Sequence, residues 1–374
     1  MPRQPEARTI ATRKRWVFFL GALTMASGFA ARTALARRPK AFIERFGWLT
    51  PVASTVSGKD DVNPRGVALV PQSIGALTRD HVLVSNFVNS HRQPGTGTTI
   101  MDIAPDGTAR LFAQIVSAAP FECPGGIGLT AALTVLRAGW VIVGSLPTAD
   151  GTAQTAQPGC LLILDSHGKL VETIHGGLIN GPWGMTAFEE DNSVILFVAN
   201  VLDGTVAAGG ATVNQGTVVR LRLVFQEEQP PTLVWETEIG SGFAERTDAD
   251  ALVMGPSGLA LSDDGTLYVA DTDSNRIATI SIALIRQLSA GAGETVSAGG
   301  ALNRPAGLAI APNGHLIVVN AGDGNMIEIR PDGKQLAVVD SGFGAGSLSG
   351  LAMAPGHTGV YLANQDDNTL QLLH

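Results

Sequence analysis

The chain has 374 residues, 45% of them hydrophobic, and a formal net charge of −8. Only 16% are charged and 5% aromatic, with no basic stripe, which argues against nucleic acid as a partner: phosphate binding needs clustered Lys and Arg, and single strands need stacking platforms. The 45 glycines and 20 prolines punctuate the whole sequence, as a turn-rich all-β body requires, and form no low-complexity tract.

The first element in chain order is the apolar run Trp16–Met25, preceded by Arg3, Arg8, Arg13, Lys14 and Arg15 and followed by small residues. A charged segment, a short apolar stretch and an A-x-A site predict a secretory signal over residues 1–36, cleaved after Ala36 or Ala30. The run with its flanks is short for a spanning helix; the alternative reading is an uncleaved amino-terminal anchor, the one route to a membrane partner. Export to the periplasm or the medium is expected, with residues 37–374 as a single domain and a monomer.

From residue 63 onward one phrase recurs six times: a Pro or small residue, any residue, Gly, an apolar triplet, a turn, and an apolar strand ending in Asn, Asp or Ser. The copies are anchored on Gly66, Gly126, Gly184, Gly258, Gly307 and Gly350, with spacings of 60, 58, 74, 49 and 43 residues. The glycines let the backbone into a crowded first strand, and alternating apolar residues face neighbouring sheets. Tight-turn sequences such as Asp263-Asp264-Gly265 and Pro331-Asp332-Gly333 separate further strands. Four short antiparallel strands per unit, repeated in a ring, predict an all-β six-bladed β-propeller. The sixth copy ends after three strands at His374, so the strand-like segment Phe46–Thr55 is expected to complete the last blade and remove an exposed edge.

Residues 255–339, with "GLALSDDGTLYVADTDSNRI" at their head, resemble NHL repeats, and the likeness extends loosely over 63–374. The resemblance implies the propeller and no particular chemistry. Gluconolactonase-type propellers of this architecture place Asn or Asp between the Pro and Gly of each repeat to hold a divalent ion. Here that slot is read as Arg65, Gly125, Trp183, Ser257, Ala306 and Ser349, none a carboxylate or amide, whereas hard cations want charged oxygen ligands. Glu44 or an acidic loop remains the only alternative source. No metal and no cofactor is therefore expected.

Other chemistry is sparse. The seven histidines form no HxH or HxxxH pair, and there is no nucleophile elbow and no phosphate loop. Three long connections, Val88–Thr98, Leu146–Gly159 and Val201–Gly216, should raise a lip over half of the face on which the first strands begin, carrying His91 and Arg92. The tract Ser241–Gly255 brings Asp248 and Asp250 to that face, where a solvated loop is the plainer reading, and Arg65 and Trp183 should stand at the channel mouth as recognition residues, unless Trp183 plugs the tunnel as packing. Asn86, Asn200, Asp271, Asn320 and Asn364, with Ser145, end the second strands and are expected to cap their own turns. Cys123 and Cys160 fall in one repeat and could pair in an oxidising compartment, or be two small buried side chains. With no catalytic set in view, the leading expectation is a non-enzymatic binding scaffold for a protein, a glycan or a small molecule. The alternative is a lactonase-like hydrolase or a lyase with its substrate in the central tunnel.

Overall fold

Every second strand of the repeats is buried along its whole length, because each is covered by a neighbouring sheet on both sides. That double burial fixes the architecture in the computed structural model, which describes residues 40–374 apart from 57, 59, 117, 118, 227 and 228. The apolar run Trp16–Met25 and the cleavage sites lie outside the described residues.

Six antiparallel sheets surround a central channel. Blade 1 comprises Val62–Leu69, Val82–Val88, Thr99–Ile103 and Ala109–Gln114. Blade 2 comprises Leu129–Val135, Val141–Ser145, Cys160–Leu164 and Leu170–His175. Blade 3 comprises Pro182–Glu190, Ser193–Asn200, Val213–Gln226 and Gln229–Asp248, with Leu252–Met254 paired onto the end of the last strand. Blade 4 comprises Pro256–Leu261, Leu267–Asp271, Arg276–Ile280 and Glu294–Ala298. Blade 5 comprises Pro305–Ile310, Leu316–Asn320, Met326–Ile329 and Gln335–Val339. Blade 6 comprises Leu348–Met353, Val360–Asn364, Thr369–Leu373 and, from the other end of the chain, Leu49–Ser54. The 74-residue spacing of the third repeat is used up in an extended hairpin of 14- and 20-residue strands, not in an extra sheet.

The amino-terminal strand closes the ring. Leu49 pairs with Leu373 and Ser54 with Thr369, with a bulge between Pro51 and Ala53. Trp48 and His374 exchange both backbone hydrogen bonds, at 3.1 and 2.8 Å. Six apolar clusters lie between successive blades, such as Leu83, Leu133 and Leu162 between blades 1 and 2, and Val84, Ile103 and Tyr361 between blades 1 and 6. Burying roughly 1.5–3 kcal/mol per large aliphatic side chain at each of these seams is what makes the ring cohere.

The ring depends on glycine where adjacent inner strands meet, as Gly350 and Gly66 illustrate. A Cβ at Gly350 would collide with the Arg65 carbonyl of the next blade, and one at Gly66 would press on the Thr130 carbonyl at 3.2 Å. Adjacent inner strands approach too closely there for any side chain. The same relation locates the second blade's channel position. Leu129 pairs with Ser145 as Pro64 pairs with Asn86, so the slot residue is Thr130 and not Gly125, which packs against Gln157 and Pro158 instead.

Two faces result. On the mouth face the inner strands begin and the second strands turn into the third. The opposite face, the base, carries the other hairpins.

Candidate functional site

The three long connections form the expected lip, but they are not loose polar insertions. Thr148 N–H donates to the Gly95 carbonyl (2.9 Å) and its hydroxyl to Pro94 (2.6 Å), tying the first connection to the second. Beneath them Phe87, Leu146, Ala153, Trp183, Val201, Leu202 and Val253 make a seventh apolar cluster, which fixes the lip over blades 1–3. The only described α-helix, Thr205–Ala208, is part of this lip.

Inside the lip, on the ring axis, lies a cavity of about 300 Å³. Arg65 and Trp183 both line it, together with Asp250, Ser257, Thr272 and Gln365. Trp183 does not plug the channel. Its ring stands edge-on to Phe87, 5.6 Å between centroids, and both rings flank the Arg65 guanidinium, at 5.0 and 4.1 Å. Arg65 is 92% buried by this arrangement. Its Nε donates to the Asn63 side chain (3.2 Å) and one Nη reaches the Ala251 carbonyl only at 3.5 Å. No carboxylate forms an ion pair with it among the described residues. Burial pushes its pKa down to about 10, so it is still cationic at neutral pH. Arg65 is thus a buried guanidinium between two aromatic rings, facing a cavity that Asp248 and Asp250 also line without pairing with it.

The acidic tract supplies the opposite sign beside it. Asp248 accepts the N–H groups of Asp250 and Ala251, both at 3.0 Å, and pairs with Arg246 at 2.9 Å. Burial raises its carboxyl, yet those N–H donors and Arg246 outweigh it and hold the pKa below its ordinary value. Asp248 therefore shapes the loop, while Asp250 is exposed on the cavity rim. Sequence inspection missed a second cation, Arg304, also on the lining and exposed. Its position could have drawn notice: it precedes Pro305 as Asn63 precedes Pro64, and both residues have positive φ.

His91 and Arg92 sit at the tip of the first long connection, exposed and away from the cavity lining. Glu44 is on the base, where it accepts the Ala41 N–H, so it cannot reach the mouth. The expected caps of the second-strand ends hold only in part: among the described residues Asn86 and Asn200 make no bond to the turn that follows them, and Asn320 bonds Asp323 there as well as a more distant carbonyl. Asn86, Asn200 and Asn320 donate to the carbonyls of Thr55, Leu178 and Ala301, which belong to the segments leading into their own blades. Asn364 bonds Asp366 and Asp367 in the following turn, Asp271 pairs with Arg276 at the start of the next strand, and Ser145 instead contacts Gly126 and Gly128. Cys123 and Cys160 form a disulfide with their Cα atoms 5.6 Å apart. They meet because Cys123 lies on the crossing from blade 1, not on the first strand of blade 2. That crossing runs past the outer strand, where Thr173 bonds the Glu122 carbonyl (3.4 Å).

A divalent ion does not fit the slot ring. Ser257 donates to backbone carbonyls and shares a hydrogen bond with Thr272, Ser349 bonds Pro64 and Thr130 bonds Pro182, so the hydroxyls are already engaged. The remaining members offer a guanidinium, an indole and a methyl group. Among the described residues no group of three or more His, Cys, Asp or Glu side chains converges.

Residues 240–352 match a family model described as the SMP-30/Gluconolactonase/LRE-like region. Among solved structures, a gluconolactonase of Xanthomonas campestris is similar at 13% identity and a TM-score of 0.53, over 87% of this chain and 88% of that one. A PQQ-bound aldose sugar dehydrogenase of Streptomyces coelicolor is similar at 14% identity and 0.54, over 87% and 97%. A calcium-binding regucalcin of Agrobacterium tumefaciens gives 14% and 0.50, over 88% and 93%. At these identities the likeness establishes the propeller alone. No curated protein matches the sequence.

Proposed function

We propose that the protein is an exported, lactonase-like hydrolase that takes a small cyclic ester into its axial cavity. The observation that carries this is Arg65, a cavity-lining guanidinium buried between two aromatic rings with no carboxylate partner. Hydrolysis of a cyclic ester creates negative charge twice, on the carbonyl oxygen as water adds and on the carboxylate once the ring opens. A fixed cation in a shielded site favours both. Water oxygen bonds to the carbonyl carbon and its proton passes to Asp250. The ring C–O bond then breaks, and the departing alkoxide takes that proton to give a hydroxy acid. A cavity near 300 Å³ suits a small substrate.

The match of residues 240–352 to a gluconolactonase-like family model supports this chemistry over the non-enzymatic scaffold expected from the missing catalytic motifs. The divergence from that chemistry is equally concrete: with no metal ligands at the slot, charge stabilisation falls to Arg65. The test is proton release from a panel of five- and six-membered lactones. Arg65→Met should lower kcat/KM about 100-fold, the usual cost of losing one oxyanion-stabilising donor. Failure of every lactone to hydrolyse, or full activity in Arg65→Met, would falsify the proposal.

A further inference from the structure

The base displays large apolar side chains without cover. The connection Ser281–Gly293 of blade 4 holds Ile282, Ile285 and Leu288 at 57%, 70% and 78% exposure. It belongs to the base because Ala283 N–H bonds the carbonyl of Gly265, in the first hairpin of that blade. This connection is built, not frayed. Arg286 donates inward to the Ser281 carbonyl (3.0 Å), the Ser281 hydroxyl (3.1 Å) and the Leu288 carbonyl (3.4 Å). Ile282 has φ of +50°, a conformation that a β-branched residue adopts only under constraint. The guanidinium folded inward and the strained isoleucine together hold three aliphatic groups out to solvent, a cost that single scattered surface leucines do not carry.

The same face carries Trp48, 72% exposed, where the chain comes up into the closing strand. The body begins there too: the three-residue turn Ile43–Arg45 packs by blade 5, with the Ile43 N–H on Glu328 at 3.0 Å. Only 14 residues, 26–39, separate this turn's segment from the apolar run Trp16–Met25. Fully extended, that stretch reaches about 50 Å at most. An apolar run retained in a bilayer would tether the body within that reach, and the described chain starts on the base.

We propose that the base is a membrane-resting surface: Ile282, Ile285 and Leu288 enter the interface of a lipid bilayer, with Trp48 on the same face of the ring. Aliphatic groups on one exposed turn and an amphipathic indole on the same face are what an interfacial contact uses, and the axial cavity then opens away from the membrane.

Full-length protein on phosphatidylcholine vesicles provides the test, read by hydrogen exchange and fluorescence. Amides of residues 281–291 should slow about tenfold or more on vesicles, with those of 247–252 at the mouth unchanged. Leu288→Trp in a Trp48→Phe background should add a component quenched by brominated acyl chains. Ile285→Asp with Leu288→Asp should abolish the loop's slowing. Equal loop exchange with and without vesicles overturns the proposal. So does a dimer in solution that these two substitutions dissociate without any lipid effect, since the patch would then join two copies.

Discussion

Glu245→Gln should make the protein more stable at neutral and alkaline pH. Glu245 is fully buried, beside Val201 and Gly255, and neither carboxylate oxygen has a well-formed hydrogen bond among the described residues, the Asp203 N–H being at best a weak donor. Burial raises its pKa from 4.5 to about 9, and the nearby Asp203 charge adds to this, while the Asp203 N–H offsets little. Between those two values the folded protein holds a proton that the unfolded chain has released. Stability is therefore full below about pH 4.5 and declines as pH rises towards 9, at about 1.4 kcal/mol per unit. At pH 7 the accumulated cost is about 3 kcal/mol. Glutamine keeps the shape, is equally short of partners, and carries no such cost. In a body of this size about 3 kcal/mol corresponds to a rise in Tm of about 5 °C. Thermal or urea unfolding of both proteins from pH 5 to pH 9 is the assay. The two should nearly coincide at pH 5 and separate steadily above it. Parallel pH profiles would refute the reasoning, because Glu245 would then be ionised and paired in the native state.

Other perturbations bear on separate parts of the structure. Cys123→Ser removes a cross-link spanning 37 residues, and chain entropy predicts a loss of about 4 kcal/mol, measurable as a lower urea midpoint that dithiothreitol reproduces in the wild type. Arg65→Met should leave unfolding stability within about 1 kcal/mol of wild type, since a buried unpaired charge is replaced by apolar volume, while lactone turnover falls; a collapse in stability would make the residue structural. Gly350→Val drives a side chain into the Arg65 carbonyl and should cost about 3 kcal/mol or more, whereas Gly344→Ala, with open space around it, should not destabilise in the same unfolding assay. Deleting residues 46–54 strips blade 6 of its outer strand and should lower Tm of the whole body in one cooperative transition; an unchanged melt would mean that the ring does not need its terminal seam.

The scaffold was legible because its causes are local and repeated. An apolar strand between two turns reads the same in every copy, and the missing fourth strand of blade 6 follows from counting, so Leu49–Ser54 could be placed against Thr369–Leu373 without long-range information. The second blade misled for the converse reason. Its Cys123-Pro124-Gly125-Gly126 imitates the repeat phrase, but the true channel position, Thr130, is defined by a contact with Gly66 of another blade. The site was half legible. Arg65 and Trp183 stood out as large residues where the other copies have small ones. A ring of small hydroxyl and methyl slots closes on its own hydrogen bonds, so any bulky or charged replacement must break the symmetry and open chemistry on the axis. What the repeat could not supply was the partnership. Phe87 follows a second-strand asparagine on an otherwise ordinary strand, and only folding brings its ring under the guanidinium, so that a packing residue becomes one wall of the candidate site. The informative residues are those that depart from their own repeat, and their meaning is set by neighbours from other turns of the ring.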